Sequence, residues 1–269
     1  MGNRQSIITL LTDFGSQDYF VGAMKGAILS INPRVLIVDI THEIPPQDIE
    51  VAAFNLLATY KDFPAGTIHV AVVDPGVGST RKPILIECGE QFFVGPDNGI
   101  FSWICEREGS GRAIHLTNEA FFRHPVSQTF HGRDIFAPVA AALSTGVAMT
   151  EFGEKLSDYV RLDPLLPAVK SDGSVAGRVI QIDRFGNCIT NLTREHFSAD
   201  QAASGAKLQI NGRELTLFRE SFSEGAVDGD DLFCLVGSAG FLEIAARNSS
   251  AATILRAERG QSVVVTGSR

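Results

Sequence analysis

The sequence contains few cysteines, and their spacing excludes two common uses of the residue. The four cysteines are Cys88, Cys105, Cys188 and Cys234 in a chain of 269 residues. None pairs with another as C-x-x-C, and none has a histidine at the spacing of a zinc site. A chain this long with so few cysteines does not depend on a disulfide framework. We therefore expect reduced, buried cysteines with a structural role.

Long apolar runs and blocks of like charge are also absent. The apolar stretch near the N-terminus covers only residues 7–11 and is soon followed by Asp13, so it is too short for a signal peptide or a membrane span. The formal charge of −8 comes from 23 basic and 31 acidic residues, without any basic block. This balance disfavours nucleic acid and anionic membranes as partners but tolerates a cationic small molecule. Cytoplasm is the expected compartment.

Three familiar cofactor and nucleophile motifs are missing. No G-x-G-x-x-G follows the first predicted strand, and the sequence has neither a P-loop nor a G-x-S-x-G. Gly76-Val77-Gly78 is followed by Ser79-Thr80-Arg81 rather than by a helix, so this segment is a poor phosphate cradle. Nicotinamide-dependent hydride transfer, P-loop phosphoryl transfer and α/β-hydrolase chemistry therefore lose support.

The apolar residues, 44% of the chain, instead indicate a globular protein, and their pattern predicts two domains. In residues 1–163, predicted strands alternate with predicted helices, which is typical of an α/β domain with a mostly parallel sheet. The strands are predicted at 6–12, 35–40, 67–73, 84–87 and 91–94, and the helices at 21–31, 48–60 and 135–144, the last one capped by Asp134. Residues 164–172 are predicted as a linker. Residues 173–269 contain short alternating runs and are predicted to form a smaller antiparallel β-barrel.

Five polar clusters lie at the ends of predicted strands. They are residues 12–15, 73–78, 95–99, 131–134 and 183–187. Ligands of open α/β sheets bind outside the carboxyl ends of the strands, so the first two clusters lie where a substrate is expected. Any one cluster is more simply a turn, but five together favour a functional site. By spacing alone, His131 is also compatible with a structural role, and Arg81 with a solvated surface charge.

Six motifs in a fixed order resemble a known family. They are T-D-F-G from Thr12, V-V-D-P-G-V-G-S-T-R from Val72, G-P-D-N-G from Gly95, F-H-G-R-D-I-F-A-P from Phe130, I-D-R-F-G-N-x-x-T-N from Ile182 and G-S-A-G-F-L-E-I-A from Gly237. From Ile7 to Val265 the sequence resembles the S-adenosylmethionine (SAM) hydroxide adenosyltransferases, the hydrolase relatives of the SAM-dependent fluorinase and chlorinase.

The resemblance implies a reaction and an assembly. The reaction is hydrolysis of SAM at the ribose C5′ carbon by water or hydroxide, which releases adenosine and L-methionine. The implied fold is an N-terminal α/β domain and a C-terminal β-barrel, and the implied assembly is a homotrimer with its sites between subunits. SAM is the substrate, so neither a cofactor nor a metal is expected.

The resemblance also implies a catalytic set of aspartate, arginine and histidine. The matching positions are Asp74 in V-V-D-P-G, Arg81 seven residues later and His131 in F-H-G-R-D. The halogenating relatives are expected to have a non-acidic residue at the position of Asp74 and to lack the histidine. The fluorinase also carries an inserted loop that has no counterpart in this sequence. The resemblance therefore favours the hydrolase branch.

A set of substrate-binding residues carries over in the same way. Asp13 matches the carboxylate that holds the ribose hydroxyls, Phe185 matches the aromatic ring that stacks on adenine, and Asn187 matches the amide that reads the adenine edge. The remaining members are Asp183 and Ser238 near the methionine amino-acid end, and Asn98, Glu243 and Asn248, which lie in family motifs without an assigned role.

These residue types suit a displacement by water. The nucleophile must lie in line with the departing sulfonium, which leaves as a neutral thioether and needs no acid. An aspartate, an arginine and a histidine can orient a water molecule and disperse its proton. Three alternatives stay open: a halide-using 5′-halogenase of the same fold, a non-catalytic SAM- or adenosine-binding protein, and an unrelated nucleoside or nucleotide hydrolase.

Overall fold

A computed structural model describes residues 5–109, 111–224 and 232–267 of the chain. The chain divides into two compact units, unit 1 up to Pro164 and unit 2 from Leu165 onward. The division falls within the segment between Asp163 and Gly173, where the sequence pattern changes from alternating strands and helices to short strands.

Unit 1 combines seven described strands with four α-helices. The strands are β1 (Ile7–Thr12), β2 (Leu36–Thr41), β3 (Ile68–Val72), β4 (Pro83–Cys88), β5 (Gln91–Pro96), β6 (Arg112–Leu116) and β7 (Gly153–Leu156). The helices are α1 (Phe20–Ile31), α2 (Ile49–Thr59), α3 (Ser102–Glu108) and α4 (Ala137–Ser144), and a π-helical turn, Gly132–Phe136, runs directly into α4. No helix in the described part of the chain has the length and apolarity to cross a bilayer.

The described strands of unit 1 form one mixed sheet in the order β2-β1-β3-β5-β4-β6-β7. The pairings β1–β2, β1–β3 and β3–β5 are parallel, and the pairings β4–β5, β4–β6 and β6–β7 are antiparallel. The prediction of a mostly parallel sheet is therefore not confirmed. The reason is local: only Gly89 and Glu90, both with positive φ, join β4 to β5, and so short a connection joins only antiparallel strands.

The parallel half of the sheet places two aspartates at the same edge. Thr12 pairs with Val72 at the carboxyl ends of β1 and β3. Asp13 follows β1 directly, and Asp74 follows β3 after one residue. Because parallel strands end on the same side, both carboxylates lie at the edge that the sequence predicts for a ligand.

The core of unit 1 holds the α4 region in place. It packs Leu10 of β1 and Met24 of α1 with Phe136 and almost every residue of α4. Full burial of each large apolar side chain is worth roughly 1.5–3 kcal/mol. This packing fixes the π-helical turn before α4, and the residue that precedes that turn is His131.

Unit 2 is an antiparallel, barrel-like sheet with two short helices, α5 (Ala199–Ala203) and α6 (Ala251–Leu255). Its described strands are β8 (Ala168–Val169), β9 (Val175–Ile182), β10 (Cys188–Thr193), β11 (Lys207–Ile210), β12 (Arg213–Leu215), β13 (Leu232–Val236), β14 (Phe241–Ala246) and β15 (Ser262–Thr266). They pair in the order β12-β11-β15-β9-β10-β14-β13, with β8 beside β9. The sheet nearly closes on itself, because the Cys234 N–H donates to the Leu217 carbonyl and the Arg219 N–H to the Cys234 carbonyl, both at 2.8 Å.

Part of the predicted linker belongs to the sheet of unit 2. Residues 164–172 were expected to be a linker, but Ala168–Val169 forms β8 and pairs with β9. The Asp172-Gly173 pair lies in the tight turn between them, where the Lys170 N–H donates to the Ser174 carbonyl at 2.8 Å. The turn residues that suggested a linker therefore make a hairpin.

Candidate active site

Unit 1 contains a cavity of about 430 Å³ at the sheet edge where β1 and β3 end. Its walls are formed by Asp13, Phe14, Phe20, Pro46, Gln47, Val72, Asp74, Pro75, Val77, Thr129, Phe130, His131 and Gly132. Three of the residues predicted for the site, Asp13, Asp74 and His131, lie in these walls. They come from the turn after β1, the turn after β3 and the position just before the π-helical turn, so the fold brings together three segments that are far apart in sequence.

Asp74, Arg81 and His131 form one hydrogen-bonded cluster. The Arg81 Nε donates to Asp74 Oδ1 at 2.9 Å, and its Nη2 donates to Asp74 Oδ2. The same Nη2 donates to His131 Nδ1 at 2.8 Å. The Asp74 and Arg81 side chains are only 6% and 9% exposed. Burying a bidentate ion pair to this extent costs desolvation free energy, and the pair often adds no net stability to the fold. Its presence here therefore supports a functional role.

The loop between β3 and β4 carries both members of this ion pair. The Ser79 hydroxyl donates to the Gly76 carbonyl at 2.6 Å and closes a tight turn within the loop. Gly78 has a φ of +75°, and a Cβ atom there would lie 2.4 Å from the Gln128 carbonyl oxygen. Glycine therefore lets the loop pack against the segment that leads to the histidine.

A buried carboxylate organises the backbone next to His131. Asp134 is completely buried, and its Oδ2 accepts the Ser127 N–H at 2.9 Å. The Arg133 guanidinium donates to both Asp134 oxygens, at 2.6 and 2.9 Å. The prediction that Asp134 caps a helix starting at the next residue is wrong, because helical backbone already begins at Gly132 and Asp134 lies within it.

The contact with Arg81 decides which nitrogen of His131 carries the proton. Burial, and next the positive charge of Arg81, lower the pKa of His131 below its ordinary value, so the imidazole is neutral at pH 7. A guanidinium can only donate, so Nδ1 of the neutral ring is the acceptor and the hydrogen is on Nε2. The ring therefore has an N–H donor left for a ligand.

Asp13 is held by a contact that the sequence did not indicate. Its Oδ2 accepts the N–H of Gln47, which is 34 residues away, at 2.8 Å. Gln47 has a φ of +67°, a left-handed conformation that is uncommon outside glycine and tends to occur at functional sites. Gln47 and Pro46 both line the cavity, and neither was predicted as a site residue.

Three phenylalanines supply much of the apolar wall. The ring centroids of Phe14, Phe20 and Phe130 lie 5.2 to 5.9 Å from one another. They were also missed as site residues, because apolar side chains at element boundaries look like core. The available signal was adjacency, since Phe14 follows Asp13 and Phe130 precedes His131 in the sequence.

Asn98 supports the site from outside its walls. Its Nδ2 donates to the Val73 carbonyl at 2.8 Å, and its Oδ1 accepts the Ile100 N–H at 3.2 Å. Val73 is the residue between β3 and Asp74. Asn98 therefore holds the strand end that presents the aspartate, which gives a structural role to a residue that had none from its motif.

In unit 2, Asp183 and Asn187 close the turn between β9 and β10. Asp183 Oδ1 accepts the N–H groups of Phe185 and Asn187 at 2.9 and 2.8 Å, and its Oδ2 accepts from Asn187 Nδ2 at 2.8 Å. Gly186 has a φ of +84°, and a Cβ atom there would lie 2.1 Å from Ser250 Oγ. The Phe185 side chain at the tip of this constrained turn is 79% exposed, as a ring available for stacking must be.

The other predicted residues of unit 2 lie in and after the β13–β14 hairpin. Ser238 is exposed in the hairpin turn, Glu243 is half-buried on β14, and Asn248 is exposed in the following turn with a φ of +51°. Burial, and next the negative charge of Asp183, raise the pKa of Glu243. Asp183 and Glu243 are therefore electrostatic neighbours.

The cysteines do not take part in the cavity. All four are free thiols and buried, as predicted. Across the described ranges, no three side chains of histidine, cysteine, aspartate or glutamate converge in a way that would hold a metal ion. The ionisable side chains among the wall residues are Asp13, Asp74 and His131, and Arg81 is bonded to the last two.

Comparison with known proteins identifies related chains. Residues 8–153 match the family described as SAM hydroxide adenosyltransferase N-terminal domain, and residues 177–264 match the corresponding C-terminal domain family. The chain is 39% identical over 262 residues to the (R)-S-adenosyl-L-methionine hydrolase of Methanocaldococcus jannaschii, with 94% of this chain and 92% of that protein covered. A crystal structure of an uncharacterized conserved protein from Thermotoga maritima superimposes with a TM-score of 0.88 at 35% identity, over 96% of this chain and 99% of that one. A fluorinase of Actinopolyspora mzabensis is more distant, at 26% identity over 97% of each chain.

Proposed function

Because this chain belongs to the SAM hydroxide adenosyltransferase family, we propose that it hydrolyses SAM at the ribose C5′ carbon and releases adenosine and L-methionine. The observation that carries the proposal is the buried Asp74–Arg81 ion pair, with His131 bonded to it, beside a cavity that Asp13 also lines. A fixed carboxylate and a neutral imidazole suit the handling of a water molecule and its proton.

The substrate is proposed to be the SAM epimer with the R configuration at sulfur. The Methanocaldococcus relative is named as a hydrolase of that epimer. The two epimers carry the same three substituents on sulfur in exchanged positions, so a preference has to come from the shape of the site around the sulfonium.

The reaction is a single displacement. The water oxygen attacks C5′ from the side opposite the sulfonium, and a C–O bond forms as the C5′–S bond breaks. The electron pair of the broken bond stays on sulfur, which departs as the neutral thioether of methionine. The leaving group takes up no proton, so the site needs only to hold the water in line and to receive its proton.

Asp74 is the proposed acceptor of that proton. Two hydrogen bonds from Arg81 fix the carboxylate, and each oxygen retains a further lone pair for the water. His131 donates its Nε2–H to the water oxygen, because its Nδ1 is occupied by Arg81. A donor on one lone pair of the water orients the other lone pair for attack on C5′. Arg81 contributes indirectly, because it orients both Asp74 and His131.

The remaining roles follow the resemblance and the observed contacts. Asp13 binds the ribose hydroxyls, Phe185 stacks on adenine, Asn187 binds the adenine edge, and Asp183 and Ser238 lie at the methionine end. Asp183 also builds the turn that carries Phe185 and Asn187. Glu243 and Asn248 remain unassigned.

The assembly and setting of the enzyme are part of the same proposal. A homotrimer with sites shared between subunits is supported by the resemblance. Neither a metal nor a cofactor is proposed, because the sulfonium is already an activated leaving group. The four free thiols support a location in a reducing compartment such as the cytoplasm.

Incubation of the enzyme with each SAM epimer in water enriched in oxygen-18 tests the proposal. We expect the R epimer to yield methionine and adenosine that carries the label at the 5′-hydroxyl. The S epimer should be converted much more slowly. The matched control is Asp74→Asn, which removes one charge and keeps the shape of the side chain.

The alternatives give different products in the same experiment. A halogenase forms 5′-chloro-5′-deoxyadenosine when chloride is added, and a nucleoside hydrolase releases adenine. A binding protein retains SAM or adenosine without turnover. Any of these results from the parent enzyme contradicts the proposed hydrolysis.

A further inference from the structure

Two buried histidines of unit 1 make the same contact with β1. His69 Nδ1 lies 2.8 Å from Thr9 Oγ1, and His42 Nδ1 lies 2.9 Å from Thr12 Oγ1. Both threonines are completely buried. The two histidines differ in the residues around them, and this difference indicates the role of His42.

His69 belongs to a closed network inside the sheet. Its Nε2 lies 2.6 Å from Gln91 Oε1, and Gln91 Nε2 donates to the carbonyls of Tyr60 and Phe63, both at 3.0 Å. None of these residues lines the cavity. The network satisfies buried polar groups and has no contact with the site.

His42 instead contacts both ends of the turn that carries Asp13. Its side chain bonds to Thr12, which precedes Asp13, and its carbonyl accepts the N–H of Gly15 at 2.8 Å. The Thr12 hydroxyl oxygen also accepts the Phe14 N–H at 3.3 Å. The turn from Thr12 to Gly15 is therefore bonded to His42 on either side of the aspartate.

A carboxylate lies close to the other nitrogen of the His42 imidazole. Its Nε2 lies 3.1 Å from Asp39 Oδ1, and Asp39 Oδ2 accepts from Lys25 Nζ at 2.6 Å. The His42 Nε2 and Asp39 Oδ1 atoms are close but do not have the geometry of a hydrogen bond, so Asp39 faces His42 as a nearby charge. This chain of contacts ties the turn to β2 and α1.

We propose that His42 is a positioning residue that sets the Asp13 carboxylate for the ribose hydroxyls and thereby contributes to the choice of a ribonucleoside. The Gln47 N–H fixes one Asp13 oxygen, and His42 fixes the backbone from which the carboxylate projects. This inference rests on the ribose role of Asp13 in the proposed function.

The inference is tested by binding, which does not depend on turnover. Calorimetry measures the dissociation constants of adenosine and of 2′,3′-dideoxyadenosine, and their ratio reports the preference for the ribose hydroxyls. The matched variants are Thr12→Val and Thr9→Val. Each of them removes the threonine hydroxyl that is bonded to a buried histidine. His42→Ala, His42→Asn and His69→Ala complete the set, with melting temperatures for all.

We expect Thr12→Val and His42→Ala to lower the preference at least about tenfold, the lower end of the range for one hydrogen bond to a charged group. His42→Asn, whose amide can reach the Thr12 hydroxyl, should recover part of it. Thr9→Val and His69→Ala should lower the melting temperature and leave the preference unchanged. Added to Asp13→Asn, His42→Ala should lower the preference no further, because both changes act on the same contact.

The inference is overturned if Thr12→Val and Thr9→Val show the same preference for adenosine over 2′,3′-dideoxyadenosine. It is also overturned if Asp13→Asn leaves that preference unchanged. If His42→Ala does not fold, the Thr12→Val and His42→Asn variants still test the inference. Failure of the proposed function is seen separately, as a parent enzyme that prefers adenosine but produces none from SAM.

Discussion

Asp74, Arg81 and His131 share one hydrogen-bond network, so removal of any member disturbs the other two. We expect Asp74→Asn, Arg81→Ala and His131→Ala each to lower turnover by about 10²–10⁴, the usual range for general acid–base help. Adenosine binding should change much less, because Asp13 is held separately by the backbone of Gln47. Single-turnover rates, adenosine dissociation constants and melting temperatures on the same samples provide the measurement.

A double variant of this network should be little slower than its slower parent, since residues that act as a unit are not additive. Arg112→Ala is the control, because Arg112 forms an exposed ion pair with Glu87 in the same sheet. If the Asp74–Arg81 ion pair is purely structural, the result should be different: each variant should lose turnover only in proportion to its unfolded fraction.

The tautomer of His131 leads to a sharper prediction. His131→Gln retains an N–H donor close to the Nε2 position but has no basic nitrogen, and His131→Phe retains only the ring. If His131 donates to the water, the glutamine variant should be at least about tenfold faster than the phenylalanine variant, which corresponds to about one hydrogen bond. Equal single-turnover rates in the two variants would show that the imidazole works as a base.

The same histidine predicts the pH dependence. Its pKa is lowered below 6.5, so kcat should be constant above pH 6.5 and fall once the pH drops below the lowered pKa. Protonation removes the Nδ1 acceptor and places a second cation beside Arg81. The unfolded chain takes up this proton at higher pH than the folded chain, so the contribution to stability is also lost as the pH falls.

Rate and melting temperature measured between about pH 5 and pH 8 test this dependence, because histidine titrates in that range. The His131→Gln variant is the control, and its rate should change less with pH. A parent rate that rises toward acidic pH contradicts the assignment.

At the scale of secondary-structure elements, the β3–β4 loop is the part that presents the ion pair, and its glycine is testable. Gly78→Ala places a Cβ atom 2.4 Å from the Gln128 carbonyl, so the loop must shift and turnover should fall at least tenfold. Gly66→Ala is the matched control, because Gly66 also has a positive φ but a Cβ atom there meets nothing within 4 Å. The control should lose about 1–2 kcal/mol of stability, the cost of a left-handed conformation for a residue with a Cβ atom, and keep its rate.

Rate and melting temperature of the two glycine variants separate backbone strain from the steric clash. Equal losses of turnover would assign the effect to strain alone.

The β9–β10 turn makes a prediction about nucleoside binding. Phe185→Ala should weaken adenosine binding by about 1–3 kcal/mol, the worth of an aromatic ring stacked on a base. The turn itself should persist, because Asp183 holds it through backbone groups. Calorimetric titration with adenosine measures the change, and Phe222→Ala, at a 51% exposed phenylalanine of the same unit, is the control.

Asn187→Ala should weaken adenosine binding to a similar extent, and it also removes a hydrogen bond to Asp183. The adenine assignment is abandoned if both Phe185→Ala and Asn187→Ala bind adenosine like the parent.

For the whole molecule, the proposed trimer predicts complementation between inactive variants. Asp74→Asn and Phe185→Ala/Asn187→Ala proteins are mixed in equal amounts under conditions that exchange subunits. If each site takes these residues from two different subunits, about one site in four is intact, because half of the subunits supply each part. About a quarter of the parent activity should therefore return.

Sedimentation of the parent should show the trimer in the same buffer. No recovery from a mixture that has exchanged subunits, or a stable active monomer, counts against shared sites.

Local patterns in the chain were enough to predict much of this molecule. The apolar runs at β1 and β3 and the polar residues after them predicted Asp13 and Asp74 at one sheet edge, because the strand period is a local property and parallel strands end on the same side of a sheet. The short runs after residue 173 likewise indicated an antiparallel barrel. The motifs that contain Asp74, Arg81 and His131 indicated the chemistry through family resemblance.

Contacts between distant segments were needed for the rest. The Gln47 N–H reaches Asp13 across 34 residues, and Arg81 reaches His131 across 50, so no local pattern encodes either bond. The antiparallel half of the sheet, the role of Asn98 and the anchoring of the Asp13 turn by His42 depend on the same kind of packing. Buried polar groups must find partners wherever the folded chain provides them, and those partners are known only when the strands and loops have come together.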